Sequence, residues 1–250
     1  MMLTIACREL KTLFLSPLAW VLLAVVQIIQ AYLFLTLVEA FNGVQSSLAN
    51  MSDSPGLADL VVTPLFYNTA VILLLIIPLL TMRMICEERR NKTLALLLSA
   101  PISNVHIIGG KFLAVLGLLS LTILLASLMS LSLTIGATLD FGKFFANILA
   151  LSLLAAAFTA IGLWLSCVAS QPTVAAISTF GCLLLLWMLD WSNSFRDQSS
   201  STLHYLSISR HFQTLQSGLM STVDISYFVL FIITFLTLSV RRLEQDRLQK

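Results

Sequence analysis

Residues 64–92 read PLFYNTAVILLLIIPLLTMRMICEERRNK. From Pro64 to Thr81 nothing is charged, whereas six of the ten residues from Arg83 to Lys92 are. A helix that crosses hydrocarbon needs about 20 mostly apolar residues. The stretch therefore predicts a span over 64–84 that ends in a charged loop. Pro64 opens it, where a missing N–H costs little. Pro78 cannot donate to the carbonyl of Leu74, so a kink is expected there.

Five further segments have the same character: 17–38, 108–136, 144–168, 173–191 and 225–241. The composition agrees. Of 250 residues, 58 % are hydrophobic and 10 % charged, against about 25 % charged in a soluble domain. That apolar surface needs lipid as its solvent. The expected fold is an all-α integral membrane protein, a bundle of six transmembrane helices forming one domain over 1–250. Backbone groups in lipid must be satisfied internally, which makes helices the expected form.

Lysine and arginine orient the bundle. Arg8, Lys11, Arg83, Arg89, Arg90, Lys92, Lys111, Arg241, Arg242, Arg247 and Lys250 fall on one side. Only Lys143, Arg196 and Arg210 fall on the other. The positive-inside rule then predicts that both termini are cytosolic. Trp20, Trp164, Trp187 and Trp191 fall near span ends, as an aromatic belt would place them. The net charge of +2 is small and says nothing by itself about nucleic acid, and no nucleic-acid partner is expected. Four cysteines without CxxC spacing argue against a disulfide framework.

Three connecting segments carry further pattern. Residues 1–16 predict an amphipathic interfacial helix, with Leu3, Ala6, Cys7, Leu10, Leu13 and Phe14 on its apolar face. Residues 42–63 predict a polar outer loop. Beyond the charge cluster, Thr93 to Ser99 predict a short crosswise helix with Leu94, Leu97 and Leu98 on one face, stopped by Pro101. Ser103 or Asn104 can cap the helix that follows. On the other side, Ile208, Phe212, Leu215 and Leu219 recur at helical spacing. That segment is expected on the outer leaflet, as a lid or partner surface over 203–221.

Several chemistries have no residues to run them. There is no GxxxxGK[ST], no HExxH and no GxSxG. No catalytic residue, metal site or cofactor is expected on this chain. His204 and His211 lie two turns apart and read as exposed interface histidines rather than ligands. Intramembrane ionisable residues usually mark transport sites. Here Glu39, Asp140, Asp190 and Asp224 sit at outer span ends, so no ion-coupled pathway can be drawn. The pattern favours a permease whose energy comes from elsewhere.

The loop Glu87-Glu88-Arg89-Arg90, Thr93, Leu97-Leu98-Ser99 and Pro101, with Lys111 beyond, resembles the cytosolic coupling region of ABC-2-type export permeases. Residues 206–212, with Gly218 and Asp224 to Tyr227, resemble the branch of gliding-motility and copper-enzyme maturation permeases. The likeness implies a permease of a bacterial inner membrane that works with a second copy of itself or a related permease. It implies a separate P-loop ATPase that carries ATP and magnesium. The crosswise helix near 93–101 would sit in a cleft of that ATPase, with Glu87, Glu88, Arg89 and Arg90 around the dock. It also implies an auxiliary subunit with an extracytoplasmic domain. ATP-driven closure would move the coupling helices and export or extract a substrate. The rival reading is a non-transporting subunit that relays ATPase movement to an extracytoplasmic partner. An intramembrane enzyme is disfavoured, because no nucleophile, metal cluster or carboxylate pair offers itself.

Overall fold

The computed structural model describes residues 1–48, 56–91, 103–135, 139–193, 207–218 and 221–248. Among these there are helices and turns only. An N-terminal helix α1 (Met2–Leu15) leads into α2 (Pro17–Leu48). A π-helical stretch, Ala58–Val62, runs directly into α3 (Thr63–Thr81), and a turn separates that from the short α4 (Cys86–Arg90). Then come α5 (Asn104–Ser132), α6 (Phe141–Val168) and α7 (Pro172–Asn193). The short α8 (Ile208–Gln216) precedes α9 (Thr222–Leu248). Among the described residues, six helical segments are long and apolar enough to cross a membrane: those at 17–43, 58–90, 104–132, 141–168, 172–189 and 222–247. The protein is a multi-pass helical membrane protein.

The long helices are apolar all round, because their outer faces meet lipid and their inner faces meet one another. Val25, Ile28 and Leu35 of α2 and Leu230 and Ile233 of α9 are exposed in this way. The central helix is α6, which packs against α3, α5, α7, α8 and α9. Its inner surface is built from Ala150, Ala155, Ala157, Ala160 and Gly162, and small residues allow close helix approach in lipid. A methyl at Gly162 would lie 2.3 Å from Thr81 Oγ1, so the α3–α6 contact requires glycine there. Asp140 caps α6, its Oδ1 accepting from the backbone N–H of Gly142 at 2.9 Å and Lys143 at 3.3 Å.

Several sequence expectations change at their edges. The polar stretch expected as a loop from 42 is helical through Leu48, and Ala58–Val62 is helical again. Ala58, Val61 and Val62 are buried, so packing carries the helix past its apolar span. The third span is α-helical to Ser132 and continues as a 3-10 turn over Leu133–Ile135, with 136 outside the described residues. Span six continues to Leu248, well past 241. Ser103 stands at the N-cap of α5 but its side chain makes no capping hydrogen bond.

The N-terminal helix forms, and its inward face overlaps the expected one at Ala6, Leu10, Leu13 and Phe14. Leu3 and Cys7 are exposed, while Ala6 and Glu9 are buried. Its partner is the start of α5 rather than lipid alone. A methyl at Gly110 would lie 2.7 Å from Ile5, so the two helices meet nearly backbone to backbone.

Candidate functional site

Both chain termini lie at one end of the bundle, and α4 is the knot that holds this end together. After Thr81 the chain leaves α3 and turns before α4 begins. Backbone N–H groups freed by such a break need partners. Ser166 of α6 supplies them: its Oγ accepts from the N–H of Ile85 and of Cys86, each at 3.3 Å. The same hydroxyl donates to the carbonyl of Met82 at 3.4 Å. Thus the α3–α4 elbow is fastened to the central helix.

The charges of α4 then reach three further helices. Glu88 Oε1 accepts from Lys111 Nζ of α5 at 2.7 Å. Lys111 Nζ also lies 3.4 Å from Glu9 Oε1 of α1, and Glu9 accepts from Arg8 at 3.0 Å. The Lys111 side chain is only 2 % exposed. A buried charge is costly unless it is paired and hydrogen-bonded, and two carboxylates meet that need here. Arg89 pairs with Asp246 near the end of α9 and reaches the carbonyl of Ala169, between α6 and α7, at 3.5 Å.

The residues expected around the ATPase dock therefore divide. Glu88 and Arg89 are bonded into the bundle, whereas Glu87 and Arg90 have side chains that reach solvent. Thr93, Leu94, Leu97, Leu98 and Pro101 lie outside the described residues. The sequence reading overlooked Glu9, Ser166 and Asp246. One signal was available: Glu9 continues the 2, 5, 6, 9, 13 stripe that α1 turns inward. An acidic residue on an inward stripe calls for a cation opposite.

The far end relies on rings and neutral amides beside two charged contacts, Lys143 Nζ of α6 on Asp59 at 2.7 Å and His211 on Asp224. Helix α8 turns Ile208, Phe212 and Leu215 into the bundle, where all three are fully buried. They are therefore taken up by the chain's own core and offer no surface to a partner. Leu219 lies outside the described residues. The ring of Phe212 lies 6.3 Å from Trp187, which also meets Tyr67 and Phe158. Trp187 thus serves this cluster rather than a belt. Gln216 donates to Asn147 Oδ1 of α6 at 3.1 Å, and Asn147 donates back to the Gln216 carbonyl at 3.4 Å. Gly218, at φ +88°, ends the segment in a left-handed turn that favours glycine.

His211 is buried, contrary to the exposed position expected for it. Its Nδ1 lies 2.5 Å from Asp224 Oδ1, and its ring stacks on Tyr227 at 4.2 Å. His204 lies outside the described residues. Among the described residues no three His, Cys, Asp or Glu side chains converge as metal ligands would. Between α3 and α7 runs an apolar groove of about 540 Å³, lined by Tyr67, Leu74, Phe180, Leu184, Trp187 and Met188.

A family model described as ABC-2 family transporter protein matches residues 3–248. The match is to the family as a whole and does not reach the gliding-motility or copper-enzyme maturation branch. No curated protein matches the sequence.

Proposed function

The chain belongs to the ABC-2 transporter family, and on that premise we propose that the α4 knot is the place where a separate P-loop ATPase drives this permease. The single observation that carries the reading is the reach of α4. Five residues, Cys86–Arg90, are bonded to α1 through Lys111, to α5 through Lys111, to α6 through Ser166 and to α9 through Asp246. A push on this elbow is delivered to four helices at once. Its outward residues, Glu87 and Arg90, remain for the ATPase, together with the apolar residues Leu94, Leu97 and Leu98 that follow.

In this reading the termini face the cytosol and the membrane is a bacterial inner membrane. ATP and magnesium stay on the ATPase. Movement of the elbow shifts α3 against α6, whose contact at Gly162 leaves no slack. The α3–α7 groove gives an apolar cargo, or the facing permease copy, a surface to lie against. Export or extraction of an apolar or amphipathic substrate follows, with α8 as the plug at the outer end.

The test is co-elution of the purified chain with its candidate ATPase. Reversing charge at Glu87 and Arg90, combined with Leu97→Asp, is expected to abolish the complex while the bundle stays folded. A complex that survives all three changes places the dock elsewhere. Failure to bind any P-loop ATPase would instead favour a subunit that works without one.

A further inference from the structure

A cleft of about 350 Å³ opens beside α4, between α1, the first turn of α2 and the last turn of α3. Its walls have two characters. One side is aliphatic, with Leu13, Leu18, Leu80 and Met84. The other is charged. At its base Lys111, Glu9 and Glu88 already compensate one another. Two opposite charges on the lining do not share in that network. Arg83 is exposed and Glu87 is half-buried, and neither side chain has an ion-pair or hydrogen-bond partner among the described residues.

The level of the cleft in the bilayer follows from its neighbours. Ala19 forms part of the wall, and Trp20 beside it is 58 % exposed. Its indole N–H donates to the Phe14 carbonyl at 2.7 Å. Amphipathic rings of this kind sit at the depth of the head groups. The cleft therefore stands where one leaflet presents its head groups and the first part of its acyl chains.

We propose that the cleft holds a single phospholipid of the leaflet on the terminus-bearing side, one whose head group carries both a phosphate and a primary ammonium. The phosphate lies on the Arg83 guanidinium, a planar donor suited to it. The ammonium donates to the Glu87 carboxylate. The acyl chains run along Leu13, Leu18 and Leu80. An anionic glycerol head group would satisfy Arg83 but leave Glu87 facing negative charge with no cation. Such a lipid fills the space between α1, α3 and α4 and makes one block of them. This needs no second protein, and because Glu87 also belongs to the proposed ATPase dock, lipid and ATPase would share that residue.

The experiment uses the full chain, purified without an ATPase and stripped of lipid in detergent. Phosphatidylethanolamine, phosphatidylcholine and phosphatidylglycerol are titrated back, and bound lipid is counted by native mass spectrometry. One phosphatidylethanolamine is expected to bind about tenfold more tightly than either competitor. Arg83→Ala is expected to weaken it about tenfold, and Glu87→Gln to bring phosphatidylethanolamine and phosphatidylglycerol to parity. Both residues reach solvent, so neither variant should shift the thermal midpoint. Leu13→Trp, which fills the aliphatic side, is expected to remove the bound lipid altogether. Equal retention of all three lipids, or indifference to both charge variants, would mean annular lipid only and overturn the proposal. Tight binding of soluble phosphorylethanolamine alone would overturn it too, since the ligand would then not be a membrane lipid.

Discussion

The two ends of the bundle are held by different mixtures of contacts. At the terminus-bearing end, charge does the holding: Lys111 between Glu9 and Glu88, and Arg89 on Asp246. At the far end, the Phe212–Trp187 ring contact and the Asn147–Gln216 amide pair hold α8, beside the buried His211–Asp224 pair and a partly exposed Lys143–Asp59 ion pair. The difference matters because the two kinds of contact fail differently. A buried ion pair that loses one partner leaves an uncompensated charge, whereas a ring or amide that is lost leaves a cavity or one poor hydrogen bond. Charge pairs also exchange partners over larger changes in geometry than close-packed rings allow. Under the proposed function, the end that responds to an ATPase leans on the first kind, and the opposite end leans more on the second.

The largest break in this contrast should come from Lys111→Met. It removes the buried cation that Glu9 and Glu88 share, and a loss of about 3–5 kcal/mol is expected, read as a fall in thermal midpoint. Adding Glu88→Gln should recover part of it. If the double variant is no more stable than the single one, the pair is not what holds α1 to α4.

Phe212→Ala should cost about 3 kcal/mol through the cavity it leaves. In the proposed ATPase complex it should leave co-elution unchanged, because the far end takes no part in docking. Loss of the complex in this variant would erase the division between the ends.

Between the two ends lies the α3–α6 contact. Gly162→Ala should cost about 2 kcal/mol by forcing Thr81 aside, for that hydroxyl is already bonded to the Ile77 carbonyl at 2.9 Å. Combining it with Thr81→Ala should restore most of the midpoint. A Gly162→Ala variant as stable as the parent would show that the contact has slack and cannot carry movement between the ends.

The smallest effect is expected from Gln216→Ala, about 1 kcal/mol, which breaks one neutral amide pair while the rings still hold α8. Hydrogen exchange over 208–216 is the suitable readout, with faster exchange expected there and none at α1 or α4. Exchange that also rises at α4 would mean the ends are more tightly linked than their chemistry suggests.

Much of the architecture was legible in the chain because lipid is a strict solvent. It demands runs of apolar residues long enough to cross it and helices to satisfy the backbone, and both demands leave marks in one dimension. Six spans, the asymmetry of Lys and Arg, and the charged exit at Arg83 to Lys92 follow from that alone. The helix ends were less legible. Ala58–Val62 and the tail of α9 are set by neighbours against which they pack, not by hydrophobicity.

The site was legible only in outline. Periodicity showed that 208, 212 and 215 share a face, but a face does not name its partner, and the bundle rather than the outer leaflet or another protein takes it. His211 looked exposed because nothing local marks Asp224, thirteen residues on, as its neighbour. Residues 9, 88, 111 and 246 are scattered along the chain, and no local rule joins them. Sequence by itself determined that this protein spans a membrane six times and that its charge gathers at one end. Only the tertiary structure decided which of those charges meet, because an ion pair depends on how helices pack in three dimensions, while a span depends only on how many apolar residues stand in a row.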